Sequence, residues 1–521
     1  MSSFVRVSGL FASLLLVQTA PAQGAGDWPQ WGRDHTRNMV SPAKHLPGKF
    51  KAGKFIGRSE NIDPKTTENV KWIAKLGSQS YGNPTVANGR VYVGTNNDSP
   101  RDARFKGDRS CVYCFDEKTG ALIWQFNAAK LGTGKVSDWE FLGICSSPAV
   151  EGDRVYFVTN RCEIICLDAA GMANGNDGPY KDESLYMAWP RKEPMEVTKA
   201  DADIIWVMNM IDECGVFPHN ITSSSVLIMG DRVYASTSNG VDYGHVETPA
   251  PRAPSLIVVN KKTGKLLGEE VSSLSRRIFH SNWSSPAFLK GDDKGLVIFG
   301  GPDGRLYAFK PDPVQAAGGF AELEEAWRFD CNPPTYRKKD GKPIRYATRY
   351  GPSEVLATPV VYKNRVFAVI GQDPEHGEGI GNMVCLDASG KAVWQQPAVN
   401  RSISTLSIAD DLVFAADYSG FIYCIDANTG KINWKHDTSA HIWGSTLVAD
   451  GKLYIGTEDG FLTVLPATKT YDKKKVTEID MGPPIYSSPI VANGVLYVAT
   501  HTHLYAIAQG ATLGASGEKS K

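Results

Sequence analysis

Along most of this chain, Val, Ile, Leu, Tyr and Phe alternate with small or polar residues in short runs. The runs are separated by Gly, Asn and Asp. The pattern is clearest over residues 422–460 and returns at 146–159 and 487–500. Each unit reads as two serines and a proline, an apolar pair, a Gly turn, Val-Tyr with an apolar residue, and an Asp-Gly turn. Then come Leu-Tyr-x-Leu-Asp, a Thr-Gly turn, and an apolar residue two before a Trp. Period-two alternation suits half-buried strands, and Gly or Asn suits turns needing positive φ. The unit therefore predicts four short strands joined by three tight turns.

Anchoring each copy on the proline or its equivalent gives Pro84, Pro148, Val226, Pro286, Pro359, Thr405, Thr446 and Pro489. The last spacings match the roughly 40–45 residues of a four-stranded propeller blade. One such sheet cannot bury both faces, whereas a closed ring of them does. The eighth copy ends at 503–507 without its Trp strand, and an orphan strand bearing Trp72 precedes the first copy. The fold expected is an all-β, eight-bladed β-propeller of four-stranded blades, closed by that N-terminal strand in the last blade.

The stretches 112–124 and 422–434, each carrying Asp-x-x-Thr-Gly and a terminal Trp, resemble the PQQ-repeat family of quinoprotein-type propellers. The resemblance runs over about 69–508. It implies a relative either of PQQ-dependent dehydrogenases or of the outer-membrane-assembly propeller. The expected organisation is a signal peptide at 1–22, an irregular strap at 23–68, the propeller at 69–508 and a disordered tail at 509–521. The signal rests on Arg6, a short apolar run and an Ala-Pro-Ala site. The run is too short to span a bilayer. A periplasmic or secreted monomer with no stable membrane insertion is expected.

Composition changes this picture little. Lys plus Arg and Asp plus Glu both number 56, so no net charge pulls the chain toward nucleic acid. Of nine cysteines, Cys114, Cys166, Cys385 and Cys424 share one repeat position and read as small core residues. Cys111, Cys145, Cys162, Cys214 and Cys331 remain available for disulfides of unspecified pairing. No Cys-x-x-Cys-His is present, so no covalent haem is expected.

Strand order sends the segments entering each innermost strand, and the loops between second and third strands, to one face, here the top. Insertions at 96–110, 240–254, 331–356 and 372–382 should fall there, with 169–203 and 311–322 below. The top gathers seven of the ten histidines: His219, His245, His280, His376, His441, His501 and His503. Imidazoles, carboxylates and amides meeting aromatic rings suit a polar ligand or metal pocket. His219, His280, His441, Asp373, Glu375 and His376 are the expected metal ligands. Asn83, Asn220, Trp283, Glu354, Arg401, Trp443 and Tyr486 are the expected ligand-binding residues. Arg401 offers a fork to an anion, so a small anionic ligand, a metal or an envelope protein partner is expected at the axial funnel. The resemblance also implies an alternative, a quinoprotein oxidoreductase holding PQQ on a Trp with Ca²⁺ on Glu354, Asn220 and Asp373. This chain lacks the adjacent cysteine pair of such enzymes.

Overall fold

The computed structural model describes residues 24, 26–291, 294–316, 321–346, 348 and 351–513. The signal peptide expected at 1–22 and the tail beyond 513 lie outside them. Eight four-stranded antiparallel blades surround one axis. They span 85–129, 149–209, 227–270, 287–330, 360–396, 407–437, 447–480, and 490–507 with Val70–Lys75. In blade 8 the outermost strand is Val70–Lys75, and Trp72 stands opposite Ala506. The ring is closed as expected, by the N-terminal strand. Just beyond the last strand, the Gly510 N–H donates to Asn69 Oδ1 at 2.8 Å.

The repeat signature is explained by contacts inside and between blades. Asp116 Oδ1 accepts the Lys118 and Thr119 N–H groups and the Thr119 hydroxyl, and Asp426 repeats this with Asn428 and Thr429. The aspartate thus holds the turn that the following Gly completes at positive φ. That Gly also meets the Trp of the preceding blade. A Cβ on Gly120 would lie 2.7 Å from the Trp72 ring, and Gly264, Gly390 and Gly430 stand equally close to Trp206, Trp327 and Trp394. Each indole N–H donates to a carbonyl of the next blade: Trp72 to Glu117, Trp124 to Ala169, Trp206 to Lys261 and Trp327 to Ala388. A buried indole N–H needs such a partner.

Serines of the signature tie the blades together at the axis. The Ser147 N–H donates to Ser225 Oγ, Ser225 to Ser285, Thr405 to Ser445, Ser445 to Ser488, and Ser488 to Asn83 Oδ1. In blade 6 Thr405 fills this serine position, because Ser407 there aligns with Thr85 and Leu447. The proline equivalent is therefore Leu406, one residue beyond the anchor read from the sequence.

Residues 26–41 thread the axis and engage the innermost strand of every blade. Trp28 exchanges backbone hydrogen bonds with Val86, and Val150 donates to Pro29. Arg37 donates to the Val226 and Pro286 carbonyls, each at 2.8 Å, and to Trp31. Val361 donates to Thr36, and Asn38 pairs through its amide with Ile408. Val40–Ser41 lies parallel to blade 7, and Ser41 reaches Val491 in blade 8. Arg37 is fully buried, and burial pulls its pKa down to about 9.

The 240–254 and 372–382 insertions join second to third strands, as expected of top loops. The 311–322 insertion adds two short strands to the edge of blade 3. The insertion after Asp168, expected below, climbs the outside of blade 1: Gln125 exchanges hydrogen bonds with Ala200 and Ala202, and Arg104 pairs with Asp201 at 2.9 Å. It follows that edge because the outer strand of blade 1 offers free backbone groups there. All nine cysteines are free thiols, and the four repeat cysteines are buried.

Deleting residues through Ala74 should remove both the axial segment and the closing strand, leaving an open sheet edge. The truncated chain should melt far below a chain that keeps residues 26–74, or aggregate. Arg37→Ala alone should cost about 3 kcal/mol or more, since several buried carbonyls lose their donor. Equal thermal midpoints for the chains with and without residues 26–74 would disprove the closure account.

Candidate functional site

The axial segment turns the top funnel into a closed-bottomed cavity of ≈ 380 Å³. Its floor is Trp31 with the ring of Asn83, Ser225, Ser285, Thr358, Thr405, Ser445 and Ser488. The Trp31 indole N–H donates to Thr358 Oγ1 at 2.9 Å, which sets the floor's height. Tyr81, Trp139, Trp283, Trp443 and Tyr486 line the walls, and Asp373 and Glu375 supply the charged lining. Trp443 and Tyr486 stack at 4.6 Å, and both donate to Glu458, at 3.0 Å each.

Beside this cavity, three imidazoles converge. His219 Nε2 lies 3.1 Å from His280 Nε2, and His245 Nε2 lies 3.2 Å from each. The backbone brings them there. The segment entering blade 3 carries His219, the segment entering blade 4 carries His280, and Gly240 runs between them. A Cβ on Gly240 would lie 2.4 Å from His219 Cβ and 2.8 Å from the His280 carbonyl oxygen, so only glycine allows this approach. The turn that follows, held by Asp242 accepting the Val246 and Glu247 N–H groups, swings His245 back over the pair. Beneath them Glu354, fully buried, accepts the His280 and Ser281 N–H groups on Oε1.

Protonation follows from these surroundings. Burial pulls His219 down to about 4 and His280 well below the ordinary histidine value. His219 Nδ1 faces the Val241 carbonyl at 2.7 Å, so the proton sits on Nδ1 and the Nε2 lone pair points at its neighbours. Three mutual Nε2 contacts cannot all be hydrogen bonds, because one Nε2 carries either a proton or a lone pair, so among three atoms at least one pair is donor against donor or acceptor against acceptor. A cation shared by the three lone pairs satisfies every one. Tetrahedral sites with Zn–N bonds of about 2.0–2.1 Å place their nitrogens about 3.3–3.4 Å apart, close to the spacing here. His376 stands beside the group, its ring 5.2 Å from that of His280 and 5.8 Å from that of His245.

The expected site residues divide. Asn83, Asn220, Trp283, Trp443, Tyr486, Asp373 and Glu375 line the cavity. His219 and His280 join the imidazole cluster, and His376 adjoins it. His441 does not: it stacks on Tyr418 at 4.4 Å and faces Glu378 and Glu458 at 3.2 and 3.3 Å. Arg401 offers no fork to a ligand. Buried, it donates to Ser353 Oγ and to the His376 and Thr348 carbonyls, bracing the loops around His376. Glu354 holds backbone beneath His280 rather than lining the cavity. His245, the third member of the cluster, was not among the expected metal ligands; its signal was its place in the 240–254 insertion, on the same blade as His219.

His503, expected on this face, is instead buried with Nε2 toward the Glu60 carbonyl at 2.9 Å, and burial pulls its pKa to about 4. The folded chain therefore binds fewer protons than the unfolded chain between the ordinary value near 6.5 and about 4. The stability is present above about 6.5 and is lost as pH falls through that window. His503→Gln should flatten the decline in melting temperature between pH 6.5 and 4; an unchanged slope would contradict this assignment.

Against known proteins, residues 108–173 and 379–475 match the family model described as outer membrane protein assembly factor BamB. A stretch of 86 residues is 38% identical to quinoprotein alcohol dehydrogenase PedH of Pseudomonas putida, covering 16% of this chain and only 14% of that enzyme. Among solved structures, a europium-containing methanol dehydrogenase superposes with TM-score 0.59 at 12% identity, covering 93% of this chain and 98% of its own. Quinohemoprotein alcohol dehydrogenase from Comamonas testosteroni gives 0.53 at 14% identity, covering 95% and 82%. BamB from Moraxella catarrhalis gives 0.51 at 14% identity, covering 85% and 97%. The chain thus shares its repeat and its fold with both the quinoprotein dehydrogenases and the BamB propellers.

Proposed function

We propose that this chain is an exported propeller that binds a transition-metal ion on His219, His245 and His280. The site adjoins the axial cavity through Trp283, whose ring packs on His280 and lines the cavity wall, and a small neutral or cationic molecule binds in that cavity. The convergence of three Nε2 atoms within 3.2 Å carries the reading. Imidazole suits zinc, copper, iron and nickel. Three protein ligands leave a position open, as in sites where metal meets substrate or water. The Nδ1–H of His219 on the Val241 carbonyl fixes tautomer and ring direction, as supporting contacts do at metal sites. Aromatic walls with Asp373 and Glu375 favour a cation or a neutral ring over the anion expected from Arg401. Export rests on the N-terminal signal pattern and on the envelope role in the matched family's description.

The residues present do not fit PQQ. That quinone bears carboxylates, yet the charged groups lining the cavity are acidic, and Arg401 is committed to protein carbonyls. Cys145, a single free thiol, lines the cavity, and the chain has no adjacent cysteine pair of the kind those enzymes carry. A protein partner is the second reading. Tyr243, Val246 and Ile380 on the top loops are 69%, 57% and 51% exposed, and such apolar rims mark contact surfaces. Among the described residues, no helix is long and apolar enough to cross a membrane.

Purified protein dialysed against Zn²⁺ or Co²⁺ should retain one equivalent, with Co²⁺ giving a visible tetrahedral spectrum. His219→Gln with His280→Gln should lower affinity at least 100-fold while the apo melting temperature changes little. His441→Gln should retain the metal. Equal metal content in the double variant and wild type would overturn the site.

A further inference from the structure

A second group of ligand atoms lies far from the funnel, on the lower outer edge of blade 2. Asp168 ends the third strand and Asp203 opens the fourth, and the two stand directly opposite in register. Asp177 comes from the insertion between them. One carboxylate oxygen from each lies within 4.8 Å of the others. Like charges opposed across a strand pair are unfavourable, and burying them is more so.

Asp203 is the informative residue. It is fully buried; Oδ2 accepts the Asp177 N–H at 3.0 Å, while buried Oδ1 has no hydrogen-bond partner. Asp168, 4% exposed, accepts from Ala170 N–H and from Arg154 Nη1 at 2.6 Å. Among the described residues, Arg154 is the one cation bonded to the group. Lys181 is turned to Asn176, donating to its carbonyl and its amide oxygen. Three carboxylates against one guanidinium leave a buried oxygen uncompensated.

We propose that Asp168, Asp177 and Asp203 hold a divalent hard cation, Ca²⁺, which locks the 169–202 insertion to blade 2. The donors are all oxygen, the choice of Ca²⁺ rather than of metals that prefer imidazole or thiolate. Asp177 is exposed, so solvent completes the shell on that side. The ion would fix an insertion that also braces blade 1 through Arg104, Gln125 and Ala200. The rival account is a carboxyl kept protonated by burial, which binds no ion.

Tb³⁺ on the full-length protein separates the two. The Trp124 ring packs on Gly171 and its N–H donates to Ala169, so it lies close enough to sensitise a bound lanthanide. Tb³⁺ emission should appear on excitation at the indole band and be displaced by Ca²⁺ but not by Zn²⁺. Ca²⁺ should also slow tryptic cleavage at exposed Arg191 and Lys192 severalfold. Asp177→Asn should weaken Ca²⁺ at least tenfold and Asp203→Asn should abolish binding, while the His219→Gln, His280→Gln double variant binds Ca²⁺ as wild type does. Should Asp203→Asn fail to fold, Asp177→Asn, altered at the exposed ligand, decides. No sensitised emission with millimolar Ca²⁺ leaving proteolysis unchanged, or wild-type affinity in Asp177→Asn, would overturn the proposal.

Discussion

The contact on which this ring depends is a tryptophan seated on the turn of the next blade. An indole face needs a surface without side chains, and its N–H needs an acceptor. The Asp-x-x-Thr-Gly turn supplies both, a bare Gly and an outward carbonyl. Gly120 takes Trp72 in this way and Glu117 accepts its N–H. Because Trp72 lies on the closing strand, the same contact that spaces neighbouring blades also seals blade 8 to blade 1. Repeated around the ring, it sets the angular step and hence which top loops face one another.

A ring alone leaves eight innermost strands with unpaired edges along a narrow channel, and buried backbone groups left unpaired are costly. Residues 26–41 resolve this by giving each blade a partner. Arg37 serves blades 3 and 4 at once, with its charge surrounded by carbonyl oxygens. The consequence for function is direct. Trp31 on this segment closes the channel, so the top opening is a cavity with a floor of hydroxyls and not a pore.

The imidazole cluster exists because two chain segments pass with only glycine between them. Gly240 separates the backbones that carry His219 and His280, and the following turn returns His245 to the same point. Burial keeps His219 and His280 neutral, so their lone pairs are available without competition from protons. Glu354 stabilises the His280 backbone from beneath, and Arg401 ties together the loops that hold His376. Both residues serve the site by bracing the backbone around it.

The architecture was legible in the sequence because its causes are local and recur. The Asp that caps a turn, the Gly that follows and the Trp eight residues after the Asp are fixed by contacts within a strand pair and its neighbour, so their period survives in the chain. The missing Trp strand at the end and the spare one at the start imply closure for the same reason. The Thr405 anchor slipped by one because a hydroxyl residue there fills the ring position that serine occupies elsewhere. The site was legible only in part. Strand order placed the histidines of the top loops on one face, but loops are free to turn either way, and their direction is set by neighbours distant in sequence. His441 was drawn aside by Tyr418 and Glu458, and Arg401 by the carbonyls of Thr348 and His376. His245 was drawn inward by the turn on Asp242. Residue type and repeat position follow from the chain, whereas the meeting of particular side chains follows from packing between blades, which no single repeat encodes.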